Sequence, residues 1–174
     1  RNRIQNVMLL CSMYDYYTVE EDGMLEDILQ GSCAAGEGTV PSFHQVPDAE
    51  TALAMLKEEA GVRFDLVICM STGSEMTFLE FAVRARELRA DLQLSVLTHN
   101  TEELKKITGT DPGTLPFRLF TWMGNGEIIG GITQLAENTI NADEDCGKLG
   151  APCLLLVEDD VTFYSRYLHM GMKV

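Results

Sequence analysis

The stretch FDLVICM, residues 64–70, decides how this chain folds. Leu66, Val67, Ile68 and Cys69 follow one another with no polar interruption, so a strand here presents apolar side chains to both faces of a sheet. A strand of that kind must be covered on both sides, which is the situation of a parallel sheet between two helical layers. Working outward, residues 7–12 (VMLLCS), 92–98 (LQLSVLT) and 118–123 (RLFTWM) repeat the short apolar pattern, and 42–46 (SFHQV) reads as a further strand.

Between these runs lie helical patterns. Residues 20–30 place Met24, Leu25, Ile28 and Leu29 at helical spacing behind a leading group of acids. Pro47-Asp48 opens a helix to about residue 59, with Asp48 as its cap and Ala49, Ala52, Leu53 and Leu56 on one face. A third helix is predicted over 76–89, its buried stripe being Phe78, Leu79, Ala82, Val83 and Leu88. A short one follows at 102–108, and a last one at 127–140 carries Ile128, Ile129, Ile132, Leu135 and Ala136 at the helical period. Residues 12–18 (SMYDYYT) and 32–41 read as loops. A β-then-α order repeated through the chain, with short connections, predicts an α/β fold. It is a three-layer αβα sandwich of flavodoxin-like type, with five parallel strands in the order 2-1-3-4-5.

That domain takes up residues 1–141. Residues 142–151 are polar and glycine-bearing, a linker by composition, and 152–174 look like the truncated start of a second unit of the same kind. Its strand would be CLLLVEDD (153–160) and its helix would begin at Val161. An apolar strand without neighbours has to be buried, so 153–157 are expected to dock on their own domain or on a neighbouring chain, with exchange between subunits one form of this.

Composition narrows the function. Acidic residues outnumber basic ones 27 to 13, a formal charge of −14, and no basic stripe interrupts them. Such a surface repels nucleic-acid phosphate and anionic lipid, so neither is an expected partner. No run approaches the roughly 18 apolar residues of a membrane-spanning helix, and the protein is expected to be cytoplasmic. The cysteines, Cys11, Cys33, Cys69, Cys146 and Cys153, are odd in number and form no C-x-x-C pair, which predicts reduced structural thiols over a disulfide framework or zinc site. No cofactor is expected. Catalysis through Cys11 or Cys69 would need a base or positive charge nearby, and His99 is the one residue placed to approach Cys69.

The tail motif Glu158-Asp159-Asp160, following an apolar strand, resembles the opening of response-regulator receiver (CheY-like) domains, whose acids after the first strand hold Mg²⁺. In a complete second receiver the resemblance makes Glu158 and Asp159 metal ligands. Laid over residues 1–141, the same pattern wants paired acids after strand one, and finds Cys11 and Ser12. It wants a phosphoacceptor aspartate at the end of strand three and finds Met70. After strand four Thr98 fits; after strand five Trp122 stands where a lysine is wanted. A thioether offers no carboxylate, Cys11 and Ser12 offer Mg²⁺ no hard anionic pair, and an indole offers no cation. The resemblance therefore implies a receiver-like domain with a degenerate phosphorylation site, neither catalytic nor metal-binding.

The layout is also similar to a narrower group of bacterial proteins, in which a receiver-like domain precedes a second receiver and a phosphoenolpyruvate synthase or pyruvate phosphate dikinase-like region. Tyr14-Asp15, Glu20-Glu21-Asp22-Gly23, Phe120-Thr121-Trp122, and Leu156-Val157-Glu158-Asp159-Asp160 with Phe163-Tyr164-Ser165 carry that likeness. It implies regulation through protein contacts with the chain's own C-terminal domains. Receivers commonly pair through their fourth helix, fifth strand and fifth helix, which makes Trp122, Met123 and Ile128 the candidate interaction surface and homodimerisation a further expectation. The alternative is a flavodoxin-like small-molecule or flavin-binding domain, with the 12–18 loop supplying hydroxyls and tyrosines beyond the strand ends.

Overall fold

A computed structural model of the chain describes residues 2–21, 40–57, 61–73, 76–99, 107, 115–124, 126–152 and 155–171. Strands β1 (Asn6–Leu10), β2 (Ser42–Val46), β3 (Leu66–Cys69), β4 (Gln93–Thr98) and β5 (Arg118–Thr121) form one parallel sheet in the order β2-β1-β3-β4-β5. This is the predicted flavodoxin-like order. The pairing matches apolar to apolar across the sheet, with Leu9 beside Ile68, Val67 beside Leu94, and Leu97 beside Phe120.

The period-two alternation of the strands divides the core into two layers. Met8, Leu10, Val67, Cys69, Leu94 and Val96 face one side, where helices α2 (Ala49–Lys57) and α3 (Phe78–Leu88) cover them with Leu53, Leu56, Phe78 and Phe81. Val7, Leu9, Cys11, Leu66, Ile68, Leu97 and Phe120 face the other. There α1 (Met13–Glu21) and α4 (Glu127–Ala142) supply Val19, Ile128, Ile129 and Ile132. Each fully buried aliphatic or aromatic side chain contributes about 1.5–3 kcal/mol, which is why both layers are needed.

Local chemistry sets where the helices begin. Asp48 caps α2 as expected, its Oδ1 accepting the Thr51 N–H at 2.9 Å. Thr77 and Glu80 form a reciprocal capping box at the start of α3. Helix α1, however, begins at Met13 and takes in most of the stretch read as a loop. Ser12 Oγ accepts the Asp15 N–H at 3.1 Å and donates to Asp15 Oδ2 at 2.7 Å, so the S-x-x-D spacing is a cap. The remainder of the helix predicted over 20–30, and that over 102–108 apart from Ile107, lie outside the described residues. In α3 the buried positions are Phe78, Phe81, Ala82 and Ala85, whereas Leu79, Val83 and Leu88 are exposed. The helix rests on the sheet through its small residues and Phe81, which turns those three outward.

The N-terminal segment is stitched to the end of α4. Asn141, buried, accepts the Asn2 N–H at 2.7 Å and donates to the Asn2 carbonyl at 2.8 Å, and Glu137 accepts the Ile4 N–H at 3.0 Å. Beyond α4 the polar stretch expected to be a linker continues to wind, as a π-helical turn over Asp143–Lys148. Winding on in this way gives the last carbonyls of α4 partners they would otherwise lack. Within it Cys146 is disulfide-bonded, which corrects the expectation of reduced thiols. Neither Cys11 nor Cys69 is part of a disulfide.

Residues 155–158 adopt neither helix nor strand, and Leu155 and Val157 are solvated. The expected docking of this segment as a strand therefore fails on its own domain. What docks is helix α5 (Val161–Gly171), which lies against α4 and the open edge of β5. Ser165 Oγ accepts the Thr121 N–H at 2.9 Å, Tyr164 stacks on Phe120, and Leu168 is buried in the adjoining core layer. An edge strand leaves every second N–H unpaired, and Ser165 supplies the partner for one of them.

Asp91 gives a test of the surface electrostatics. Hydrogen bonds from the Arg89 side chain, then its charge, then a hydrogen bond from Arg63 hold the carboxyl at about 2, below its ordinary 3.8. A depressed pKa stabilises the fold above the ordinary value, and that contribution is lost as pH falls through about 2. Because Asp91 is exposed, the contribution is under about 1 kcal/mol. Urea unfolding should show Asp91→Asn slightly less stable than the parent at neutral pH, with the gap closing at pH about 2.

Candidate functional site

A parallel sheet delivers the carboxyl ends of all its strands to one edge, and ligands of this fold bind there. Cys11 and Ser12 follow β1, Met70 follows β3, Thr98 ends β4 and Trp122 follows β5. The structure thus brings all five sequence-selected positions to the same end of the sheet. Backbone bonds fix them: Cys11 N–H to Val46 O at 3.0 Å, Met70 N–H to Leu10 O at 2.8 Å and Trp122 N–H to Thr98 O at 2.9 Å. Gly73 and Gly124, at φ +82° and +78°, let the chain turn out of this edge after β3 and β5 in a conformation side-chain-bearing residues avoid.

The side chains make this edge apolar where it would have to be ionic for phosphotransfer. Met70, Trp122 and Tyr16 are half-buried and pack on the core layer beneath. Thr98 is buried. Gln45 Nε2 donates to the Cys11 carbonyl at 2.9 Å, while Cys11 Sγ lies buried 3.7 Å from the Leu9 carbonyl. Burial, with the negative Asp15 adding to it, pushes the Cys11 thiol up to about 12, so it is no nucleophile at neutral pH. The Asp15 carboxylate accepts the Ser12 hydroxyl at 2.7 Å, and Asp48 is engaged as the cap of α2. Among the described residues no three histidine, cysteine or acidic side chains are grouped to hold a metal ion.

The other candidate residues fall elsewhere. Met123 is exposed beside Trp122, but Ile128 points into the core and presents no surface. Glu158 and Asp159 sit away from the strand ends. They line a groove of about 420 Å³ beside the start of β5, together with Leu115, Phe117, Leu119 and Tyr164. Of residues 12–18, offered as a ligand loop in the flavin-binding alternative, all but Ser12 belong to α1. His99 is exposed at the end of β4. Docking of α5 on β5 was not foreseen; the pattern Tyr164, Ser165, Leu168 on one helical face was its signal.

No protein-family model and no curated protein matches the chain. Solved structures do. One is the signal receiver domain of an HD domain-containing protein from Pseudomonas fluorescens Pf-5, at 17% identity and TM-score 0.55, covering 80% of this chain and 99% of that one. Another is a response regulator receiver domain protein from Clostridium thermocellum, at 11% identity and TM-score 0.56, covering 80% and 98%. A third is a phosphorylated cyanobacterial phytochrome response regulator, at 15% identity and TM-score 0.53, covering 80% and 96%. At these identities the likeness establishes the fold, that of CheY-like receivers. Among the described residues no helix is long and apolar enough to cross a membrane.

The buried thiol offers a direct check on this end of the sheet. In the native protein at mildly alkaline pH the peptide containing Cys11 should stay unalkylated by iodoacetamide, and should react once guanidinium unfolds the chain. Peptide mapping by mass spectrometry reads both states.

Proposed function

We propose that the chain is a non-catalytic, receiver-like signalling module which works through protein contacts and has given up phosphotransfer. One observation carries this reading: the strand-end positions a receiver uses for Mg²⁺ and phosphate hold Cys11, Ser12, Met70 and Trp122, three of them packed into or buried in an apolar layer. Mg²⁺ selects carboxylate and water oxygens, and a phosphoacceptor must be a carboxylate. Neither is offered at these positions, and Thr98 alone keeps the expected chemistry. On the sequence resemblance, residues 152–174 open a second receiver-like unit, and the output is a linked phosphoenolpyruvate synthase or dikinase-like region. The exposed Met123 beside Trp122 is the free part of the surface available to a partner, including a second copy.

Incubation with Mg²⁺ and acetyl phosphate, followed by intact mass measurement under neutral conditions, tests the reading. The expected spectrum carries no phosphoryl adduct. A stoichiometric adduct would overturn it and require the acceptor carboxylate to be mapped.

A further inference from the structure

Helix α5 has two apolar faces, and the described domain uses only one. The inner face carries Tyr164, Ser165 and Leu168, the last two buried against β5 and α4. The outer face carries Phe163, Tyr167 and Met170 at the i, i+4, i+7 spacing of a helical ridge, 48, 43 and 57% exposed. The Phe163 and Tyr167 rings already stack, 6.4 Å apart and 19° from parallel. Just before the helix, Leu155 and Val157 are 84 and 81% exposed, two residues apart, which puts them on one face of any strand formed there. Asp160 then caps α5, its Oδ1 accepting the N–H groups of Thr162 at 2.7 Å and Phe163 at 3.2 Å. Apolar strand-forming residues, a polar cap and a helix occur in the same order as β1, Ser12 and α1.

We infer that α5 is a shared helix: its inner face belongs to the described domain, and its outer ridge, with Leu155 and Val157, receives the apolar face of a second parallel sheet. This rests on the proposal that residues 152–174 open a second receiver-like unit. Covering residues 155–157 removes water from their N–H and C=O groups, so whatever covers them must also return hydrogen bonds, as neighbouring strands do. A membrane surface cannot do so, and Glu158-Asp159-Asp160 beside the ridge would be repelled by anionic lipid. A second copy would carry its own three acids to the same contact. The sheet of the following unit meets both conditions. In that arrangement the second unit is mounted on the β5 edge through the Ser165–Thr121 bond, one residue from Trp122, so a displacement at that strand end is transmitted to it directly.

Hydroxyl-radical footprinting read by mass spectrometry separates the outcomes, applied to the 174-residue chain and to a polypeptide carrying the complete second unit. Phe163, Tyr167 and Met170 should oxidise readily in the shorter chain and several-fold more slowly in the longer one, with Tyr164 slow in both. Protection of the ridge accompanied by exposure of Tyr164 would mean that α5 leaves the first domain; the shared helix would be wrong and the second unit right. Equal reactivity of the ridge in both polypeptides would overturn the second unit as well. Protection that grows with concentration in the shorter chain would assign the face to a second copy and overturn the inference.

Discussion

The constraint on which everything else depends is the parallel pairing of β1 and β3 at the centre of the sheet. Both strands are apolar on both faces, so neither side of the sheet can be left to water, and helices must cover both. Parallel pairing also means that every strand ends at the same edge. The positions at the ends of β1, β3, β4 and β5 therefore share one surface whatever residues they hold. Fold and site are separable here: hydrophobic alternation builds the platform, and the residues set on its edge determine what chemistry it can carry.

On the proposed reading those edge residues have moved from ionic to apolar chemistry without disturbing the platform. Met70 and Trp122 pack onto the layer that also buries Phe120 and Ile129, so the edge is anchored by the core instead of being solvated above it. On the same reading the β5 side of the molecule is also set apart from that of a receiver. Its open edge is bonded by Ser165, and its neighbour α4 is covered in part by α5, so the face that receivers use for pairing is already partly occupied by the chain itself.

The platform was legible in the sequence because long-range packing and local pattern agree there. FDLVICM and VMLLCS admit one reading, and the short connections force the parallel order. The misreadings lie where several local readings compete. The tyrosines of 12–18 suggested a ligand loop, although Ser12 and Asp15 are spaced as a helix cap. In α3 more apolar residues are present than the sheet can cover, and only packing decides that Phe81 and Ala85 go inward while Leu79 and Val83 do not. An odd cysteine count hid the bond at Cys146, since pairing depends on proximity that spacing alone does not reveal. The docking of α5 was legible only in part, because Val161, Tyr164 and Leu168 share the helix with a second apolar ridge, and the sequence pattern cannot say which face finds its partner first.

The central claim is that the strand-end edge of the first domain has no affinity for the ions that receivers use. Titrating Mg²⁺ to millimolar concentration while recording amide and Trp122 indole resonances measures this directly. The account predicts no saturable shift at Cys11, Ser12, Met70, Thr98 or Trp122. A saturable shift centred on those residues would show that the edge still binds the metal, and the claim would fall.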